Sequence, residues 1–328
     1  MDRRRLGRNG PMVSAIGLGC MGMSDFYGPA DEAESIATIH AALDAGVDLI
    51  DTGDFYGMGA NEMLIGRALK GRRDKAIISV KFGAQRGPDG SWLGYDARPQ
   101  AVKTALAYTL KRLGTDYIDI YRPARLDPNV PIEETVGAIA DLIKAGYVRH
   151  LGLSEVSAET VRRAHAVQPV ADLQIEYSLV TRMIEKKILP GLRALGVGVT
   201  AYGVLSRGLI SAATVDGKTK ERPFFPRFTG DNLKKNTELV RVLDNIAKGH
   251  GIGVAQLAIA WALSRGDDIV PLIGARSRVR LKETLGALEV RLGGIEHEAI
   301  DEVIRDHAIA GARYAEHQMQ MLDSEKGG

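Results

Sequence analysis

Apolar residues gather along this chain in short unbroken runs rather than in strict alternation. The runs fall at 15–21 (AIGLGCM), 47–51 (VDLID), 76–82 (AIISVKF), 117–121 (YIDIY), 148–154 (VRHLGLS), 172–178 (DLQIEYS), 198–204 (GVTAYGV) and 268–274 (DIVPLIG). Runs of strand length, apolar on consecutive positions, are what parallel strands covered on both faces require. Between them the period changes to that of an amphipathic helix, as in 31–46, 98–114 and 131–146. Gly46, Gly71, Gly114, Gly146 and Gly196 stand where such helices should stop. Pro99 and Pro131 stand near helix starts, where a missing N–H costs little. Strands alternating with helices at spacings of roughly 25–40 residues predict an α/β fold, a (β/α)8 TIM barrel. No linker or low-complexity tract divides it, so residues 1–328 read as a single domain. Ahead of the first run, Asn9-Gly10 between two short extended pieces predicts a short N-terminal β-hairpin, placed as a lid over the barrel bottom.

Composition narrows the function classes. The chain of 328 residues is 45% apolar and 26% charged, with 43 basic against 41 acidic residues. A net charge of +2 is too balanced to imply nucleic acid or an anionic membrane surface as partner. Cys20 is the single cysteine, which rules out an internal disulfide and points to a reducing compartment. No segment approaches the roughly 18 apolar residues of a membrane span, and the arginine-rich N-terminus lacks the apolar core of a signal peptide. The expectation is a soluble cytoplasmic protein acting on a small molecule; the sequence leaves its oligomeric state open.

Gly17, Gly19 and Gly22 reproduce the G-x-G-x-x-G spacing of a dinucleotide fingerprint after an apolar run. Read that way, the chain would be a doubly wound dehydrogenase. No helix pattern opens at the third glycine, and Asp51 lies further on than the ~20 residues the fingerprint expects for its acid. The eight runs also exceed a six-stranded doubly wound sheet. The glycines instead read as places where backbone passes close to a ligand at a barrel mouth.

In a (β/α)8 barrel the chemistry sits at the C-terminal ends of the strands. The second run ends in Asp51, with Tyr56 in the loop beyond, and the third carries Lys81. A buried lysine needs a counter-ion, and Asp51 on the neighbouring strand is the natural one. A free phenol has a pKa of about 10, too high for fast proton donation at neutral pH, and an adjacent lysine cation would lower it. The alternative is a structural Asp–Lys pair beside a packed tyrosine. After the eighth run come Gly274, Arg276, Ser277 and Arg280, then Glu283 and Thr284. A glycine followed by a helix start reads as an anion site, with Arg276 suited to a phosphate monoester and Arg280 to stacking on a flat ring. A solvated basic helix start has the same spelling. Phe26, Tyr27, Phe55 and Trp92 read as an aromatic wall beside the substrate.

Taken together, GLGCMGMS, DTGDFYG, SVKFG, GLSE, LQIEYS, AYGVLSRG and GARSRVRLKET, in this order over about residues 5–290, resemble the aldo-keto reductase family. The resemblance implies a (β/α)8 oxidoreductase, acting on CH–OH donors and the corresponding carbonyls, that binds NADP(H) without a Rossmann domain. It implies that Asp51, Tyr56 and Lys81 are three members of the catalytic tetrad. It implies that Ser154 and Gln174 bind the nicotinamide carboxamide and that Tyr202 stacks on the ring. Leu205 and Arg207 would line the pyrophosphate; Arg276, Ser277 and Arg280 the 2′-phosphate and adenine; Glu283 and Thr284 the adenine edge. Met23 would meet the nicotinamide ribose through its backbone.

One departure stands out. Where relatives carry the tetrad histidine in a segment like LYQLHRVD, this chain reads IYRPARLD, with Ala124 in its place. That histidine orients the carbonyl, which alanine cannot do, and Arg122, Arg125 or a water are the candidates to substitute. The expected reaction is NADPH-dependent reduction of an aldehyde or ketone, or its reverse, with the proton from Tyr56. The alternative is a cofactor-sensing regulatory subunit with weak catalysis, as in the potassium-channel β subunits of this fold.

Overall fold

A computed structural model describes residues 1–24, Gly28 and residues 30–326. Two short strands, β1 (Arg3–Arg5) and β2 (Met12–Ser14), form the expected antiparallel hairpin. Next come β3 (Gly17–Gly19), β4 (Leu49–Gly53) and β5 (Ile77–Phe82), then a second hairpin, β6 (Ala84–Arg86) and β7 (Trp92–Tyr95). The remaining strands are β8 (Ile118–Pro123), β9 (Val148–Ser154), β10 (Val170–Glu176), β11 (Gly198–Tyr202) and β12 (Ile269–Gly274). Outside the hairpins the strands pair in parallel, in the order β3-β4-β5-β8-β9-β10-β11-β12 and back to β3, so the barrel closes. Each apolar run of the sequence overlaps one barrel strand. The glycine-rich start is no dinucleotide fingerprint: Gly22 lies in a single 3₁₀ turn, Met21–Met23, and the first helix waits until Glu32–Asp44.

Helices fill the connections and bury their apolar stripes against the outside of the barrel. Gly46, Gly71, Gly114, Gly146 and Gly196 all adopt positive φ, between 64° and 87°, as helix-ending glycines should. Residues such as Ile39, Leu64, Leu106, Val136, Ile139 and Trp261 form the layer between helices and strands. Each fully buried aliphatic side chain contributes about 1.5–3 kcal/mol relative to exposure. Among the described residues no single helix is long and apolar enough to cross a membrane.

The N-terminal hairpin closes the barrel bottom. Its turn is longer than a two-residue Asn-Gly connection: Leu6 N donates to Pro11 O at 3.0 Å, and Gly7 rather than Gly10 takes the left-handed conformation, at φ 69°. A Cβ on Gly7 would stand 2.3 Å from Ala171 O, so this loop lies hard against the barrel. Leu6 is fully buried and packs with Val13, Leu49, Ile120, Val270 and Leu272.

Above that apolar plug the interior turns polar. Arg122, on β8, is wholly buried and donates to Asp172 Oδ2 at 2.9 Å and to Ser79 Oγ at 3.0 Å. Thr200 also donates to Asp172. Gly152 makes room for this group, because a Cβ there would sit 3.0 Å from Arg122 Cζ. The result is a rigid polar layer on which the mouth of the barrel rests.

Candidate active site at the barrel mouth

Side chains alternate in and out along each strand, so Asp51 on β4 and Ser79 and Lys81 on β5 face the interior in register. Asp51 receives donors from three sides. Lys81 Nζ bonds Asp51 Oδ1, while Ser79 Oγ and Gln174 Nε2 reach Oδ2 at 2.9 and 2.7 Å. Both charged partners are 4% exposed. Burial drags the Lys81 pKa below its usual value, and the Asp51 charge opposes that pull. Tyr56, also buried, brings its ring centroid to 5.0 Å from Lys81 Nζ. The three residues expected to work together are therefore gathered at adjoining strand ends.

The turn that carries Tyr56 is conformationally costly. Gly57, Met58 and Gly59 follow one another at φ 54°, 50° and 95°. Methionine in the left-handed region costs about 1–2 kcal/mol. Gly53 is required beneath the ring, since a Cβ there would stand 3.0 Å from Phe55 and 3.4 Å from Tyr56. Phe55 meets Tyr56 edge-on with centroids 4.8 Å apart.

Ala124 follows β8, is buried, and donates its N–H to Phe82 O at 2.8 Å. The arginines on either side of it diverge. Arg122 is consumed by the polar layer below. Arg125 is half-buried at the mouth; its Nη1 donates to Ala124 O at 2.6 Å and Ser154 Oγ at 3.4 Å, and its Nη2 to Tyr314 OH at 3.4 Å.

The opposite wall is built around a residue to which sequence reasoning gave no role. Glu155 follows β9 at φ 54° and is fully buried. Arg313 grips it through both carboxylate oxygens at 2.9 and 2.7 Å, Ser324 Oγ donates at 2.7 Å and Tyr202 OH at 2.6 Å. Burial alone would raise the Glu155 pKa; the Arg313 guanidinium overrides it and holds the carboxyl far below its usual range. Tyr202 OH also lies 2.8 Å from Tyr314 OH, so the C-terminal tail is locked to the tyrosine expected to face the nicotinamide. Glu176 takes Arg207 at 3.2 Å and Arg227 at 3.4 Å. Ser206 and Arg207, just beyond Leu205, both have positive φ, which marks a strained loop over the mouth.

At the rim, Gly274 of β12 pairs with Gly19 of β3. A Cβ on Gly274 would meet nothing nearer than Gly19 O at 3.9 Å, so this stretch of rim is open. Ser277 caps the helix Arg278–Leu285 by accepting from Arg280 N. Arg276 and Arg280 are exposed; Arg280 reaches Glu283 at 2.8 Å and Thr284 Oγ1 bonds Arg280 O at 3.0 Å. Met23 is buried. Trp92 is 42% exposed, 6.0 Å from Phe55 and 5.5 Å from Tyr95 between ring centroids. Tyr95, on the second hairpin, extends the aromatic wall beyond the residues named from the sequence; the Pro88-Asp89-Gly90 turn is the sequence signal for that hairpin. Phe26 and Tyr27 lie outside the described residues.

The family model described as the aldo/keto reductase family matches residues 15–305. A probable aldo-keto reductase 1 of Glycine max is 41% identical over 317 residues, covering 94% of this chain and 91% of that protein. The Schizosaccharomyces pombe aldo-keto reductase yakc [NADP(+)] is 38% identical, covering 95% and 94%. Among solved structures, a glycerol dehydrogenase from Gluconobacter oxydans superposes with a TM-score of 0.84 at 28% identity, covering 95% of this chain and 97% of that one. A holo aldo-keto reductase from Bacillus halodurans gives 0.78 at 28%, covering 97% and 99%. With a closed parallel barrel, an Asp–Lys–Tyr cluster at its mouth and these matches along nearly its full length, the chain belongs to the aldo/keto reductase family of nicotinamide-dependent oxidoreductases.

Proposed function

We propose that this chain uses NADPH to reduce an aldehyde or ketone to the alcohol, or runs the reverse oxidation, with Tyr56 exchanging the proton. The cluster of Asp51, Lys81 and Tyr56 at neighbouring strand ends carries this reading.

The residues at the mouth fit an extended dinucleotide. The glycine-paired rim is open, exposed cations stand at the eighth strand, and polar side chains line the centre. Ser154 and Gln174 would hold the nicotinamide carboxamide and Tyr202 would face its ring, its hydroxyl already anchored by Glu155. Leu205 and Arg207 would line the pyrophosphate. Arg276, Ser277, Arg280, Glu283 and Thr284 would take the adenine end, and Met23 the ribose through its backbone. When bound, the cofactor supplies the hydride; the protein supplies position and electrostatics.

Tyr56 holds the proton next to the reacting oxygen. The Lys81 cation favours the phenolate left behind, and Asp51 keeps Lys81 charged and aimed. NADP over NAD is supported by Arg276, a phosphate-seeking group on the open rim, and by the cofactor in the printed name of the S. pombe relative. Tyr56→Phe is expected to lower kcat by about 10²–10⁴-fold. NADPH affinity, read by fluorescence quenching, should change little. A turnover number within a few-fold of the parent would refute the assignment. Single-turnover oxidation of bound NADPH by small aldehydes separates this reading from a cofactor-sensing role, which calls for tight binding with almost no oxidation.

A further inference from the structure

Among the described residues, the charges of the two central clusters pair off. Lys81 is matched by Asp51, Arg122 by Asp172, Arg313 by Glu155 and Glu325, and Arg207 and Arg227 by Glu176. Arg125 forms no ion pair among the described residues. Its acceptors are a backbone carbonyl, a serine and a tyrosine, and the two side-chain contacts stand at 3.4 Å, the long limit of a hydrogen bond. The Glu155 carboxylate acts on Arg125 from a distance but is itself bonded to Arg313, so the Arg125 guanidinium, hydrogen-bonded only to neutral groups, retains capacity to bind an anion.

Its position gives that capacity a use. Arg125 adjoins Ala124, at the position where the family resemblance implies an imidazole, and touches Ser154, one of the residues expected at the nicotinamide. Edge-on aromatic contacts run from Tyr56 through Phe55 and Trp92 to Tyr95, and the Arg125 charge acts on the Tyr95 phenol. Those rings offer a flat substrate an aromatic surface that begins at Tyr56.

Resting on the reductase reading above, we propose that Arg125 is a specificity-determining residue that binds a carboxylate on the substrate, so that the preferred substrates are aromatic aldehydes or ketones bearing an anionic group. The guanidinium fork matches a carboxylate with two parallel N–H···O bonds, which also orients the carbonyl in the absence of the imidazole.

The test compares 2-, 3- and 4-formylbenzoate with their neutral methyl esters. The protein as it stands should favour at least one acid over its ester by about tenfold or more in kcat/KM. Arg125→Met should lower that acid-to-ester ratio by about 10–100-fold, mostly through KM, and Arg125→Lys should restore part of it. A binding readout stands beside these: titrated into the NADPH-loaded protein by calorimetry, benzoate should bind more tightly than benzamide, and Arg125→Met should erase the difference. No preference for acid over ester, or equal losses on both in Arg125→Met, overturns the proposal. Circular dichroism checks that the variants fold, and Arg125→Lys serves if Arg125→Met does not. Absence of turnover on every acid and ester, with benzoate still selected through Arg125, would sink the reductase reading and leave the anion site standing.

Discussion

Two ionic clusters share the mouth of this barrel and are built in opposite ways. Asp51 and Lys81 stand on adjacent strands, with register and side-chain alternation setting their approach. Glu155 and Arg313 are separated by 158 residues, and meet only because the C-terminal tail folds back over the barrel. The first cluster belongs to the scaffold and is the one proposed above to carry the chemistry. The second belongs to a docking event and sets the shape of the wall around Tyr202. Both are buried, yet losing one should cost rate and losing the other should cost order.

Removing the scaffold charge tests that contrast most strongly. Lys81→Met should lower kcat/KM for a neutral aldehyde by about 10²–10⁴-fold, measured at steady state. Lys81 stands on a barrel strand that stays paired on both sides, whereas Arg313 also fastens the C-terminal tail, so the melting temperature of Lys81→Met should fall less than that of an Arg313 variant. Arg313→Met leaves the buried Glu155 carboxylate without its bonded cation and should cost about 3–5 kcal/mol in urea unfolding. Hydrogen exchange over 309–326 should accelerate in the same protein. Unchanged protection of the tail would mean that the two clusters do not differ as described.

A third carboxyl, just outside the scaffold cluster, sharpens the comparison through pH. Asp54 Oδ1 is buried with no partner, and burial, reinforced by the nearby Glu62 charge, pushes its pKa up to about 7. Its folded value lies above the unfolded value of about 3.9, so the folded state binds the extra proton between the two. Its contribution is complete below about pH 4 and is lost as pH rises to about 7. Asp54→Asn should remove that dependence and gain about 1–2 kcal/mol over the parent at pH 8, a figure reduced because the residue is partly open to solvent. Chemical denaturation at several pH values reads it. The smallest effect belongs to the rim: Arg276→Ala should cut the preference for NADPH over NADH by about tenfold, measured as the ratio of KM values.

Much of the site was readable from local signals. Asp51, Tyr56 and Lys81 could be placed together because apolar runs mark strands, strand ends mark the mouth, and adjacent strands bring their ends together. The fate of Arg122 and Arg125 was not readable. Both flank Ala124 closely, yet one points into the polar layer, in space opened by Gly152 on the next strand, and the other faces the mouth. Glu155 was not readable either, since nothing nearby in sequence announces Arg313 or Ser324.

What the sequence determined by itself was periodic or local: strand and helix order, the glycines that end helices, and which strands carry the carboxylate and the lysine, with the phenol just beyond. Those features depend on interactions within a few residues, or on patterning that repeats along one element. Tertiary structure alone decided the direction of Arg122 and of Arg125, the docking of the tail on Glu155, and that Arg125 forms no ion pair among the described residues. These depend on the space and charge supplied by segments far apart in the chain, where a buried charge takes whichever partner the closed barrel brings within reach.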